Sequence, residues 1–391
     1  MKKETVTAVD KEKIYIGLTG SFGSGCTELA KIIRDKYNLV YASLSDSLKE
    51  AAQGRDIPRS EFQNIGDDAR KAEGNDFFAR KALSKVEDNK NGVVFDSLKH
   101  PDEIEYLRKH CKNFLCFSIY APASERWERV KVRYENFGLD QEQFFVDDNR
   151  DRGEDFPFGQ QVNKCNLISD ILINNTDAYP ARVNFKKIEK YLKLTLDGSG
   201  SFFVPPTYDE ILMNHAFYLS KRSSCLKRQV GSVICTDNYY IISGGYNDSP
   251  RKVKSCREIG ECYRDAIRKC PKCGQKLNRE LKCKCGDDLN VYNNSSKLLD
   301  LCRAVHAEEN AILQIPTIGG FSLKDTKLFT TTFPCLLCTK KIITVGIREV
   351  VYVDLYPVKQ SWEMLEQVGV KIIKYEGVMP RAFMRVFNAT A

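Results

Sequence analysis

Cys302-Arg303-Ala304-Val305-His306-Ala307-Glu308-Glu309-Asn310-Ala311-Ile312-Leu313, followed downstream by Thr331-Thr332-Phe333-Pro334-Cys335-Leu336-Leu337-Cys338, decides how this chain reads. His306, Cys335 and Cys338 are three donors of the kinds that Zn²⁺ takes, and three protein ligands leave a fourth position for water. Glu308 stands two residues beyond His306 and is not needed as a ligand, so it is free to move protons. The spacing predicts a helix over Ala304 to Gln314. Pro334 predicts the start of another, with Cys335 and Cys338 one turn apart. Both donor sets then lie near helix N-termini, where the dipole favours thiolate and carboxylate.

Working outward, the 391 residues suffice for two or three domains. Hydrophobic residues make up 42% and charged residues 29%, as in a water-soluble globular protein. Apolar runs such as Lys341 to Val353 are short and interrupted by charge, which predicts no membrane span. Met1-Lys2-Lys3-Glu4 leads into polar sequence without a signal segment, so a cytoplasmic location is expected. In that compartment the 15 cysteines read as thiols, several at metal-binding spacings, rather than as disulfides. The net charge of +8 suits an anionic ligand and does not distinguish a nucleotide from a nucleic acid.

The fold class expected is α/β in two parts. Over residues 1–196, Ile14 to Gly20 is an apolar run ending in glycine, as a buried parallel strand does. Gly20-Ser21-Phe22-Gly23-Ser24-Gly25-Cys26-Thr27 comes next and opens a helix, Glu28 to Lys36. The glycine spacing is that of a P-loop, with Cys26 at the lysine position. Gly20, Gly23, Gly25 and Thr27 are therefore phosphate-binding candidates, while the missing ammonium speaks against phosphoryl transfer. Further strands are expected at Gly92 to Asp96, Phe114 to Tyr120 and Asp170 to Asn174, with helices at Asp102 to Arg108 and Ala123 to Tyr134, giving a parallel sheet. This stretch resembles P-loop nucleoside monophosphate kinases. The charge run Asp147 to Asp155 reads as a solvated loop, with a lid as the rival reading.

Asp197-Gly198-Ser199-Gly200-Ser201 and Pro205-Pro206 mark a linker over 197–206. A helix from Asp209 to Ser223 and a hairpin, Val230 to Cys235 with Tyr239 to Gly245, open the second domain, 207–391. After Cys338 the pattern predicts a helix to Val345, a strand Glu349 to Val353, a helix Ser361 to Val368 and a strand Val370 to Tyr375. The tail from Arg381 carries no motif. Within an insertion, 251–301, Cys270-Pro271-Lys272-Cys273 and Cys283-Lys284-Cys285 are read as a structural Cys₄ zinc ribbon. Cys256 and Cys262 are substitute ligands.

The His-x-Glu and Pro-Cys-x-x-Cys segments, with Arg222 to Gly231 and Gly245 to Pro250, resemble the deoxycytidylate deaminases. That resemblance implies a three-layer α/β/α cytidine deaminase-like domain, a free deoxycytidine nucleotide as substrate, and Glu308 passing a proton from water to the base and then to the leaving ammonia. It also implies that Asn247 and Tyr356 contact the nucleotide. Arg222 is a phosphate-binding candidate by charge, as is Arg228. The whole chain resembles bacterial anti-phage deoxycytidine nucleotide deaminases, which act on the mono- or triphosphate. A homo-oligomer and a regulatory nucleotide or RNA at the N-terminal domain are further expectations. Two rival readings stand beside this one. A polynucleotide deaminase would explain the basic balance and the ribbon, and a non-enzymatic sensor would use both domains as binding scaffolds.

Overall fold

The computed structural model describes residues 13–86, 91–153, 157–176, 181–196, 204–266, 272–273, 285, 302–355 and 359–387. The chain divides into two compact units, one of residues 1–205 with 376–391 and one of residues 206–375. The second unit is therefore an insert within the first. This corrects the 207–391 boundary: the tail from Glu376 belongs with the N-terminal unit.

The first unit begins β1 (Ile14–Thr19), α1 (Cys26–Tyr37), β2 (Val40–Ser43), α2 (Asp46–Ala51), α3 (Arg59–Glu73), α4 (Phe77–Ser84) and β3 (Gly92–Leu98). It continues through α5 (Pro101–His110), β4 (Phe114–Tyr120), α6 (Ala123–Glu135), α7 (Gln141–Arg152), α8 (Val162–Ile168), β5 (Ile171–Asn174) and α9 (Ala181–Leu196). β1 to β5 are parallel and largely apolar, as strands covered on both faces are. With the returning tail strand β11 (Gly377–Val378), the sheet order is β11-β5-β4-β1-β3-β2. β1 lies where the order reverses, so the loop after it opens at the crevice where α/β sheets bind ligands. One core joins Leu29, Ala30 and Ile33 of α1 to Val378, Ala382, Val386 and Phe387 of the tail, the last three on α16 (Pro380–Phe387).

The run Asp147 to Asp155 departs from expectation. Its described part closes α7, and Asp147, Asp148 and Asp151 are buried. Each carboxylate has a hydrogen-bonding partner, as a buried charge requires. Arg126 binds Asp148 through two bonds of 2.6 and 2.9 Å, Arg59 reaches Asp151 at 2.8 Å, and the Tyr134 hydroxyl donates to Asp147 at 2.8 Å. Sequence composition alone could not supply those partners, since Arg59 is 92 positions away.

The second unit contains α10 (Tyr208–Ser220), β6 (Gly231–Cys235), β7 (Ile241–Tyr246), α11 (Cys256–Ile259), α12 (Tyr263–Ala266), α13 (Ala307–Thr317) and β8 (Lys327–Thr332). It ends with α14 (Leu336–Val345), β9 (Glu349–Asp354), α15 (Lys359–Gln367) and β10 (Lys371–Lys374). The sheet is mixed, in the order β10-β9-β8-β6-β7, with the β6–β7 hairpin antiparallel as expected. Side chains alternate across a strand, and the neighbours of Gly244 and Gly245 show what lies on each face. A Cβ on Gly244 would meet Leu219 of α10 at 2.5 Å, and one on Gly245 would meet the Ala307 carbonyl of α13 at 2.3 Å. α10 and α13 thus cover opposite faces, which gives the three layers. Among the described residues no helix is long and apolar enough to cross a membrane.

Candidate metal centre and phosphate loop

His306 is the N-cap of α13 and Cys335 the N-cap of α14. α13 starts three residues later than the sequence pattern suggests, because His306 and the residues before it are extended: Val305 and Asp248 pair as a β-bridge. Caps have non-helical backbone, so the side chains of His306 and Cys335 lie at the mouths of two helices. Glu309 accepts a hydrogen bond from the His306 N–H at 3.4 Å and pairs with Lys341 of α14 at 2.8 Å, tying the α13 cap to the neighbouring helix. Asn310 Nδ2 donates to the Tyr246 carbonyl at 3.0 Å, and Ser243 Oγ donates to the Ala311 carbonyl at 2.8 Å. Both bonds pin α13 to β7.

The geometry fits a zinc ion. His306 Nδ1 lies 3.2 Å from Cys335 Sγ and 3.4 Å from Cys338 Sγ. Two vertices of a tetrahedron with zinc–nitrogen and zinc–sulfur bonds stand about 3.5 Å apart. Among the described residues these are the one set of three or more His, Cys, Asp or Glu donors close enough to share a metal ion. Hydrogen bonding from Cys338, then from His306, lowers Cys335 to about 4, and the same bond with burial raises Cys338. Metal uptake must expel the Cys338 proton. Glu308 Oε2 is 3.6 Å from Cys338 Sγ, and burial pushes its carboxyl up to about 7.

Sequence reasoning missed Gly245, whose signal was the Gly244-Gly245 pair inside a strand. Its α13-facing side leaves no room for a methyl group, with the Ala311 N also 2.5 Å from a Cβ. Gly245→Ala is expected to push α13 off the sheet, costing about 1–3 kcal/mol, and to lower zinc retention. Thermal melting with metal analysis of the purified variant checks this; wild-type values for both would refute it.

The other sequence candidates fare differently. Asn247 is committed to its own loop: Oδ1 accepts from the Val230 N–H at 2.7 Å and Nδ2 donates to the Arg228 carbonyl at 2.9 Å. Arg222 is exposed, and Arg228 pairs with Asp354 at 3.2 Å. Tyr356, Cys270 and Cys283 lie outside the described residues, while Cys273 and Cys285 are exposed. The expected Cys₄ site thus falls largely outside the described residues.

In the first unit, Gly25 is the N-cap of α1 in the left-handed conformation, and Gly23 is left-handed too. A Cβ on Gly25 would stand 2.3 Å from the Asn175 amide, so this turn needs glycine twice over. Thr27 Oγ1 donates to Asp96 Oδ2 at 2.7 Å. Burial raises the Cys26 thiol to about 11, so that position is neutral at physiological pH.

Comparison with known proteins agrees with this division. Residues 206–354 match the zinc-binding region of cytidine and deoxycytidylate deaminases, and residues 16–150 match an AAA domain. The deoxycytidylate deaminase of Saccharomyces cerevisiae is 30% identical over 302 residues, 75% of this chain and 81% of that protein. A probable deoxycytidylate deaminase of Drosophila melanogaster is 33% identical over 171 residues, 42% of this chain and 70% of that one. That of Schizosaccharomyces pombe is 32% identical over 211 residues, 53% of this chain, which spans 54% of its length.

Proposed function

The chain belongs to the deoxycytidylate deaminase family, and on that premise we propose that it hydrolyses deoxycytidine monophosphate to deoxyuridine monophosphate and ammonia. The observation that carries this reading is the convergence of His306, Cys335 and Cys338 at two helix N-termini, their donor atoms all within 4.8 Å of one another, with a buried Glu308 beside them.

His306, Cys335 and Cys338 would hold Zn²⁺, which when bound would lower the pKa of water from about 15.7 to roughly 7 and so supply hydroxide at neutral pH. The rest is done by the chain's own side chains. Glu308 takes a proton from the attacking water and delivers it to the ring nitrogen as the water oxygen bonds to C4; it then takes the proton of the new C4 hydroxyl and passes it to the C4 amine, which leaves as ammonia while the C4 carbonyl forms. Burial raises the proton affinity of the Glu308 carboxyl and the charge of a bound Zn²⁺ would lower it again, opposing influences that suit a group that must both accept and donate. Glu309 and Lys341 hold His306 in place from the neighbouring helix.

Asn247 shapes the substrate loop through its bonds to residues 228 and 230, and Arg222 and Tyr356 are assigned to the nucleotide side. A second, structural zinc in the insertion and a nucleotide phosphate on Gly20, Gly23, Gly25 and Thr27 belong to the same proposal. So do action on the triphosphate and a part in antiviral defence, on the motif resemblance, together with a homo-oligomer and, from the polar N-terminal sequence, a cytoplasmic location.

The test is ammonia release from dCMP, dCTP and a cytosine-containing oligonucleotide, with and without added deoxynucleoside triphosphates. Release from dCMP, abolished by a chelator and restored by Zn²⁺, is expected. Activity confined to the oligonucleotide would overturn the assignment in favour of a polynucleotide deaminase.

A further inference from the structure

We propose that Lys99 supplies, from the far side of β3, the ammonium that the P-loop position Cys26 lacks, so that this loop binds the magnesium complex of a nucleoside polyphosphate. The inference rests on reading Gly20 to Thr27 as a phosphate loop, and asks what makes it competent.

The argument begins with backbone. Where β3 pairs with β1, Gly17 faces Phe95 and Thr19 faces Leu98, so β3 holds one extra residue. Within that bulge Ser97 has φ 68°, a left-handed conformation that costs a non-glycine residue about 1 kcal/mol. A bulge changes the direction in which the next side chains point. Thr19 Oγ1 donates to the Leu98 carbonyl at 2.7 Å, fixing the strand end against β1. The Lys99 backbone is then held at both groups: its N–H donates to Glu103 Oε2 at 2.7 Å, and its carbonyl accepts from the Gln161 N–H at 2.7 Å. Glu103 is itself fixed by buried Arg70 at 2.9 Å.

The side chain so placed crosses to the loop, where Lys99 Nζ donates to the Gly20 carbonyl. The side chain of residue 26 converges on that same residue, since Cys26 Sγ lies 3.1 Å from where a Gly20 Cβ would be. Side chains from two different elements thus approach the same loop residue, and the charged one is Lys99. Among the described residues it forms no ion pair that would neutralise it.

A second observation points to a ligand. Asp96 is 1% exposed, and its Oδ2 accepts from Thr27 Oγ1 at 2.7 Å and from the Tyr41 hydroxyl at 2.8 Å. Its Oδ1 is buried and has no hydrogen-bond partner among the described residues. An orphaned carboxylate oxygen beside a hydroxyl is a hard-cation donor pair. It would repel a bare phosphate, whereas a divalent cation between them removes that repulsion. Backbone amides of the loop, Lys99 and a cation at Asp96 and Thr27 together match a polyphosphate.

Calorimetric titration of the full-length protein with Mg–ATP and with Mg–tripolyphosphate tests this. Comparing the two separates base recognition from phosphate recognition, and both are expected to bind. Lys99→Met should weaken binding at least about tenfold, the loss of one charge-assisted contact. Lys99→Arg should stay within about threefold of wild type. Cys26→Lys added to Lys99→Met should restore binding, because the ammonium returns from the other element. If wild type binds neither probe, the phosphate loop and the inference fall together. If wild type binds and Lys99→Met binds equally well, the loop stands and Lys99 has no part in it. If neither Lys99→Arg nor the double variant binds, the positional equivalence is refuted.

Discussion

Glu308→Gln is expected to purify with its zinc and to lose about 10²–10⁴-fold or more in kcat on dCMP, the range for removing a positioned acid–base group. The substitution keeps shape and hydrogen-bonding capacity while deleting proton transfer. Gln matches the volume of the buried Glu308 side chain, so the fold around it is expected to hold. The metal donors are His306, Cys335 and Cys338, so zinc content should not change. Ammonia release and metal analysis on one preparation check both halves. Turnover near wild type would remove Glu308 from the mechanism, and loss of zinc would make it a ligand. If the dead variant kept the protein's full biological effect, the sensor reading would replace the enzyme.

Truncation after Tyr375 should unfold the P-loop unit. It deletes β11 and α16, and with them Val378, Ala382, Val386 and Phe387 from the core that covers α1 and α9. Burying one large aliphatic or aromatic side chain contributes about 1.5–3 kcal/mol, and a whole domain is stable by only about 5–15 kcal/mol. Polar ties go too. Glu376 accepts from the Asn174 N–H at 2.7 Å and pairs with Lys187 at 3.0 Å; Arg385 donates to the Phe114 carbonyl at 3.0 Å; the Met379 N–H donates to the Asp170 carbonyl at 2.8 Å. Limited proteolysis should then digest residues 1–205 while leaving the deaminase unit, whose core draws on none of the deleted residues. Equal resistance of both units in the truncated chain would show that the tail is dispensable.

How far the sequence could be read depends on the range of the interactions. The metal set was legible because its chemistry is written in short local spacings, His306 to Glu308 and Cys335 to Cys338. The hairpin was legible because turn residues separate two β-rich runs. β2 was missed: Val40–Ser43 is only four residues, too short for a periodic signal. The burial of Asp147, Asp148 and Asp151 was hidden because its causes, Arg59 and Arg126, lie elsewhere in the chain. The tail was opaque for the same reason. Ala382 and Val386 have helical spacing, but the surface they cover is formed by residues some 200 to 350 positions earlier, such as Leu29 and Phe185. Lys99 reads as any surface lysine until the bulge at Ser97 is known.

The insertion also orders events during synthesis. A ribosome that has completed β5 must make all of 206–375, 170 residues from 375 − 205, before Gly377 and Val378 emerge. At about 5–20 residues per second this takes roughly 10–35 s. For that interval the nascent first sheet has an open margin at β5, a template for mispairing with other chains, while the inserted unit is already complete enough to collapse. Yield in a host should therefore respond to chaperone supply and to translation speed through that stretch.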